Sequence, residues 1–191
     1  MRTKDEKKRL AIRDATIAEV VAGGLAGASI ARIANRAKLS QGTIYLYYTS
    51  KEVLIRQVYV EIKLEMRDAL MASFNDNASS EDNIRTLWHA LLNYALDQPK
   101  RFAFTEYITA ANLFHELEAP ALAEVEREFK SIITNAISNG TLKPAPYEAL
   151  QAILVAPVSH LARKAALADE PISKTTRNTT FDLIWHGIST P

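Results

Sequence analysis

Residues 40–54 read SQGTIYLYYTSKEVL, a run in which a glutamine, a glycine, threonines and tyrosines crowd what reads as one short helix. Ser40 is placed to cap that helix, which the pattern extends through Tyr47, and Thr49 to Glu52 has the T-x-x-E form of a capping box opening the next, longer helix. Working backwards, SIARIANRAKL (29–39) gives a short helix capped by Ser29, with Ile30, Ile33, Ala34 and Ala37 as its apolar stripe. Before it, RLAIRDATIAEVVAGGLAG (9–27) reads as an amphipathic helix with Leu10, Ile17, Val20 and Val21 inward, ended by Gly23-Gly24. Two short helices joined by a tight turn at Lys38-Leu39, behind a longer basic helix, have the layout of a helix-turn-helix. The same layout also fits an ordinary helical hairpin with tyrosines on its surface.

The chemistry of DNA reading accounts for the composition. In a helix-turn-helix the second short helix enters the major groove with its N-terminal residues leading. Gln41 and Thr43 offer hydrogen bonds to base edges or phosphates, Gly42 admits close backbone approach, and Ile44 packs inward. Tyr45 and Tyr47, two apart on a helix, face different ways, and each carries a phenol able to reach the backbone. Lys51 is placed for a phosphate contact.

Charge supports a polyanion partner at one end. Residues 1–52 carry ten basic groups against five acidic ones, a balance of +5 that leaves −4 for the rest of a chain whose total is +1. The 191 residues contain no cysteine, which excludes disulfides and thiolate chemistry and suits a reducing cytosol. MRTKDEKKRL is followed by no apolar signal region, and no 18-residue apolar run predicts a membrane span. The histidines (His89, His115, His160, His186) lack ligand spacing, and no G-x-G-x-x-G or G-x-S-x-G occurs, so neither metal, cofactor nor enzymatic chemistry is expected.

The rest of the chain is helical throughout, with apolar stripes such as Leu54, Val58, Ile62, Met66 and Leu70, and no sustained period-two alternation. Breaks fall at Asn75–Ser80, Gln98-Pro99, Ala119-Pro120 and Asn139-Gly140. Trp88, Asn93, Phe102, Tyr107, Asn112, His115 and Phe129 are the candidate pocket residues, aromatic with a few polar groups among them. Such a pocket suits an apolar or aromatic small molecule. Pro157, inside a long helical pattern, predicts a kink or an opened backbone carbonyl.

Residues 9–54 resemble the DNA-binding domain of the TetR/AcrR family of bacterial transcriptional regulators. The resemblance rests on Ala15, Gly24, Ser29, Ile33-Ala34, Ser40-x-Gly42-Thr43-Ile44-Tyr45-x-Tyr47-Tyr48 and Ser50-Lys51-Glu52-x-Leu54. The sequence departs from the family pattern with Lys38 in place of the turn glycine, Tyr48 in place of phenylalanine, and Arg13 and Glu19 on a first helix that is often apolar there.

The resemblance implies an all-α protein with a helix-turn-helix domain over 1–54 and a helical effector-binding and dimerisation domain over 55–191. By position, Gln41, Gly42, Thr43, Tyr45, Leu46 and Tyr47 are the candidates for groove contacts, with Ser40 capping their helix and Ser29 and Lys51 as backbone clamps. It further implies a cytoplasmic homodimer on a palindromic double-stranded DNA operator, responsive to a small-molecule effector and most often repressing. Its last two helices, 146–168 and 172–188, would form the dimer bundle through Leu150, Leu154, Leu161, Phe181, Ile184 and Trp185.

Overall fold

The computed structural model describes residues 2–111 and 119–191. Its helices, in order, are α1 (Arg2–Gly27), α2 (Ile30–Ala37), α3 (Gln41–Tyr45), α4 (Lys51–Met71), α5 (Ser80–Asp97), α6 (Pro99–Ala110), α7 (Pro120–Ser138), α8 (Tyr147–Ala168) and α9 (Lys174–Ile188). The fold is all-α, as expected. The chain divides into two compact units, Met1–Lys63 with Lys100–Ala119, and Leu64–Pro99 with Pro120–Pro191. The boundary expected after residue 54 thus falls within the opening turn of α4. That helix continues to supply the first unit's core beyond it, with Ile55, Val58, Tyr59 and Ile62 buried and the Tyr59 hydroxyl 3.2 Å from Thr109 Oγ1.

In the first unit, α1 is interrupted at Gly24, whose φ of 66° and ψ of −179° break the helix where the glycine pair predicts its end. The helix begins seven residues earlier than the sequence pattern indicates. Its inward face is Ile12, Ala15, Thr16, Ile17, Glu19 and Val20, whereas Leu10 is 44% exposed and Val21 is half-buried. The Thr16 hydroxyl is satisfied by donating to the Ile12 carbonyl at 2.8 Å.

Glu19 is the residue that joins α1 to α2. Only 3% exposed, its carboxylate accepts from Arg32 Nε at 2.6 Å and from Arg36 Nε at 2.7 Å. The two arginines stand one helical turn apart on α2, so one carboxylate spans both. Their hydrogen bonds hold the Glu19 carboxyl below its ordinary range, against the opposing effect of burial.

The turn into α3 is made by Lys38, in the left-handed region at φ 56° and ψ 42°, whose N–H bonds back to the Ala34 and Asn35 carbonyls. Here a lysine does what glycine does at least cost. Ser29 and Ser40 cap α2 and α3 as expected, accepting from the Arg32 and Thr43 amides at 3.3 and 3.1 Å. At α4 the cap sits one residue later than the T-x-x-E pattern suggests. Ser50 Oγ, not Thr49, accepts from the Val53 amide at 3.2 Å.

The second unit is built around α5, which packs on α8, α7 and α9. Trp88 packs at a tilt on Phe181, which stacks on Trp185, with centroids 5.6 and 5.9 Å apart. Arg85 lies over Phe181 at 4.4 Å while pairing with Asp182 at 2.7 Å. Pro157 sits within α8, and in the turn before it the Leu154 carbonyl accepts the Trp88 indole N–H at 2.9 Å. An isolated bridge between Leu142 and Ser189 ties the loop before α8 to the end of α9. No helix among the described residues is long and apolar enough to cross a membrane.

Two outcomes follow for stability. Lys38→Gly is expected to stabilise the chain by about 0.5–1 kcal/mol, relief of left-handed strain outweighing added chain entropy; thermal unfolding should show a midpoint a few degrees higher. Glu19→Gln is expected to cost about 2 kcal/mol at neutral pH, a figure reduced from that of a fully buried pair because the arginines are half in water. Because the folded-state pKa is depressed, this contribution is complete above the ordinary glutamate range and disappears as pH falls through the lowered value. Urea titrations across that range should therefore show the gap between wild type and Glu19→Gln closing on acidification.

Candidate nucleic-acid interface

The short helix α3 has two faces set by its packing. Ile44 is fully buried and Tyr48 nearly so, fixing which side looks inward. Gln41, Gly42, Tyr45 and Leu46 are all exposed, Tyr45 to 53% and Leu46 to 83%. Leu46 follows α3 directly and keeps right-handed helical geometry at φ −71° and ψ −23°, so the outward face extends through it.

The remaining candidates hold this face in place. Thr43 is half-buried, its amide bonded to Ser40 Oγ and its hydroxyl 2.9 Å from the same atom. The Tyr47 phenol donates to Asp5 Oδ1 on α1, and that carboxylate raises the phenol's pKa above the ordinary value. Lys51, expected to reach a phosphate, directs its ammonium to the Leu25 and Ala28 carbonyls at 3.3 and 3.2 Å, closing the end of α1. An ammonium has three donors, so one N–H remains for an anion. Ser29 caps α2 and is half-buried.

Sequence reasoning missed two of these supports. The Glu19 clamp had a legible signal, since a glutamate on the apolar face of a helix needs cations, and Arg32 and Arg36 have i, i+4 spacing. The Asp5 contact to Tyr47 spans 42 residues and had none.

Gly42 carries information of its own. A Cβ there would meet only Ser40 Oγ, at 3.8 Å, an ordinary contact, and its φ is not positive. Internal packing therefore does not require the glycine, and its bare backbone faces outward.

The expected pocket residues are divided between the two units. Trp88, Asn93 and Phe129 lie in the second unit and Phe102 and Tyr107 in the first, while Asn112 and His115 fall outside the described residues. Trp88 and Phe102 are buried, Phe129 is half-buried and Tyr107 is exposed. Asn93 is also exposed, and its Oδ1 accepts from Arg177 at 2.6 Å, a tie between α5 and α9. An open cleft of about 470 Å³ in the first unit is lined by other residues: Arg9, Arg56, Gln57, Val60, Glu61 and Ala119.

The apolar stripe of the last two helices mostly faces inward. Leu150, Leu161, Phe181, Ile184 and Trp185 are buried in the single chain and Leu154 is half-buried. The large apolar side chains left in solvent on those helices are Ile153, Leu167 and Leu183, at 47%, 83% and 72% exposure.

Residues 12–58 match the family model of bacterial regulatory proteins of the tetR family. Over the whole chain, the fold is similar to the crystal structure of a TetR family transcription regulator from Marinobacter aquaeolei VT8. That similarity has a TM-score of 0.89 and 25% identity, and covers 100% of both chains. The chain thus carries a segment that matches the tetR-family model and, over its whole length, has a fold similar to that of a TetR-family regulator. A curated relative, the HTH-type transcriptional regulator BetI of Cronobacter sakazakii, is 26% identical over 176 residues, 90% of this chain and 86% of that protein. A TetR-family transcriptional regulator from Haemophilus influenzae RD shares the fold at a TM-score of 0.79 and 17% identity, again over 100% of both chains. With this segment and this fold the protein is a DNA-binding transcriptional regulator rather than an enzyme. The family match spans α1 from Ile12 through α4 to Val58, so it contains Glu19, both arginines, the Lys38 turn and α3.

Gly42→Ala separates fold from contact in this regulator. Its thermal midpoint is expected within a few degrees of wild type, with DNA affinity lowered tenfold or more by the methyl group on the outward face. Fluorescence anisotropy with labelled duplex and a parallel melt would check both.

Proposed function

We propose that this protein is a ligand-responsive repressor that binds a palindromic operator as a homodimer in the bacterial cytoplasm. The observation that carries the reading is the outward face of α3, where Gln41, Gly42, Tyr45 and Leu46 stand clear of every packing duty on a helix-turn-helix of net positive charge. Ser29, Ser40, Thr43, Tyr47 and Lys51 take the supporting part, with polar atoms left over for phosphates.

The homodimer is proposed to form through α8 and α9, with Ile153, Leu167 and Leu183 as the outward apolar groups that a second copy covers. Two copies related by a two-fold axis present two α3 helices to half-sites about one turn of B-DNA apart, which makes the operator an inverted repeat. The effector is a small apolar or aromatic molecule. It favours a conformer whose two α3 helices no longer match the operator spacing, so that differential affinity for the two states couples the sites.

Selection from a random duplex pool is expected to return an inverted repeat, with affinity falling steeply as salt rises because bound phosphates release counterions. Leu183→Glu is expected to give a folded monomer by sedimentation with at least a hundredfold weaker operator binding. A dimeric Leu183→Glu protein would contradict the α8/α9 interface, and recovery of a single unpaired half-site would contradict the dimeric operator.

A further inference from the structure

The side chains that α3 presents outward are all uncharged. Gln41 offers a carboxamide, Tyr45 a phenol on an aromatic ring, and Leu46 an isobutyl group exposed to 83%, while Gly42 offers backbone alone. The guanidinium groups nearest in sequence, Arg32 and Arg36, are on α2 and are bound through Nε to Glu19. The phenol of Tyr47 is held by Asp5 and the ammonium of Lys51 by the end of α1.

This inventory selects among base pairs. Guanine is read in the major groove by a bidentate arginine or lysine, and α3 has neither. Adenine is read by a bidentate carboxamide at N6 and N7, and the 5-methyl group of thymine by apolar contact. Leu46, 83% exposed on a face otherwise built of polar groups, is left to water, a poor partner for an isobutyl group. Gln41 and Leu46 are five residues apart, about 7.5 Å along the helix, which corresponds to roughly two base-pair steps.

We infer that α3 reads an A·T-rich half-site, with Gln41 recognising an adenine and Leu46 the methyl group of a thymine about two base pairs away. The inference rests on the operator-binding reading above and adds which bases that operator presents to α3. Specificity at the thymine comes from a single methyl group, which gives the inference a chemical test.

Deoxyuridine differs from thymidine only by that methyl group. With the inverted repeat recovered by selection, each thymine is replaced by deoxyuridine symmetrically in both half-sites, and binding is measured for wild type and Leu46→Ala. One thymine pair is expected at which replacement weakens wild-type binding about tenfold, the sum of two lost methyl contacts. Leu46→Ala should bind the thymine operator as weakly as wild type binds the deoxyuridine one, and be indifferent to the replacement. Its melting curve should match wild type, since the side chain is in solvent. In a repeated selection, Gln41→Ala should lose preference at one A·T pair per half-site.

Wild-type affinities that stay within twofold at every deoxyuridine position would overturn the inference while leaving the operator reading intact, as would full methyl sensitivity retained by Leu46→Ala. Recovery of no enriched sequence from folded, dimeric protein would overturn the operator reading itself, and this inference with it.

Discussion

The buried carboxylate of Glu19 between two arginines fixes the geometry on which the recognition surface depends. A charge 3% exposed is tolerated only because two guanidinium groups face it at hydrogen-bond distance, and both come from α2. The clamp therefore sets the rotation and height of α2 against α1, while Ile30, Ile33 and Ala34 bury the same face of α2. A turn of only three residues separates α2 from α3, so the orientation fixed by the clamp passes directly to the helix proposed to meet DNA. The clamp also lowers the local positive field, since one carboxylate sits against two cations next to a polyanion site.

The turn itself shows a conflict between local preference and the fold. Lys38 adopts the left-handed conformation that L side chains disfavour, and it is held there by the bonds of its own amide to Ala34 and Asn35. A lysine there costs stability that a glycine would not, yet puts an ammonium on the exposed rim of the module. That exchange has the pattern expected where binding, not folding, decides a residue. Gly42 makes the converse case, a small residue where the fold would accept a larger one.

Much of the architecture was legible because it rests on local patterns. Ser29 and Ser40 announced the starts of α2 and α3, Gly24 the end of the straight part of α1, and the apolar periodicity the inward face of each long helix. Contacts between distant residues were not legible. The T-x-x-E at Thr49 was displaced by the neighbouring Ser50, an equally good cap that only the backbone path selects. Leu10 belongs to the apolar stripe of α1 but stands in solvent near its first turns. The stripes of α8 and α9 include Phe181, Ile184 and Trp185, which are buried within the single chain; periodicity marks an apolar face without saying which partner covers it. Asn93 followed the same logic: an amide among aromatics needs a partner, and Arg177, 84 residues away, supplies one that the sequence did not show.

The central claim is that the outward face of α3 is the surface that meets DNA, held there by the Glu19 clamp and the Lys38 turn. Amide and side-chain resonances of the full-length protein, followed by transverse-relaxation-optimised NMR as the selected duplex is added, test it directly. The account predicts the largest shifts at Gln41, including its carboxamide, and at Gly42, Tyr45 and Leu46, with smaller ones at Ser29, Lys38 and Lys51 and none at buried Ile44 beyond its backbone. Saturable binding with α3 unperturbed and shifts concentrated on another surface would contradict it.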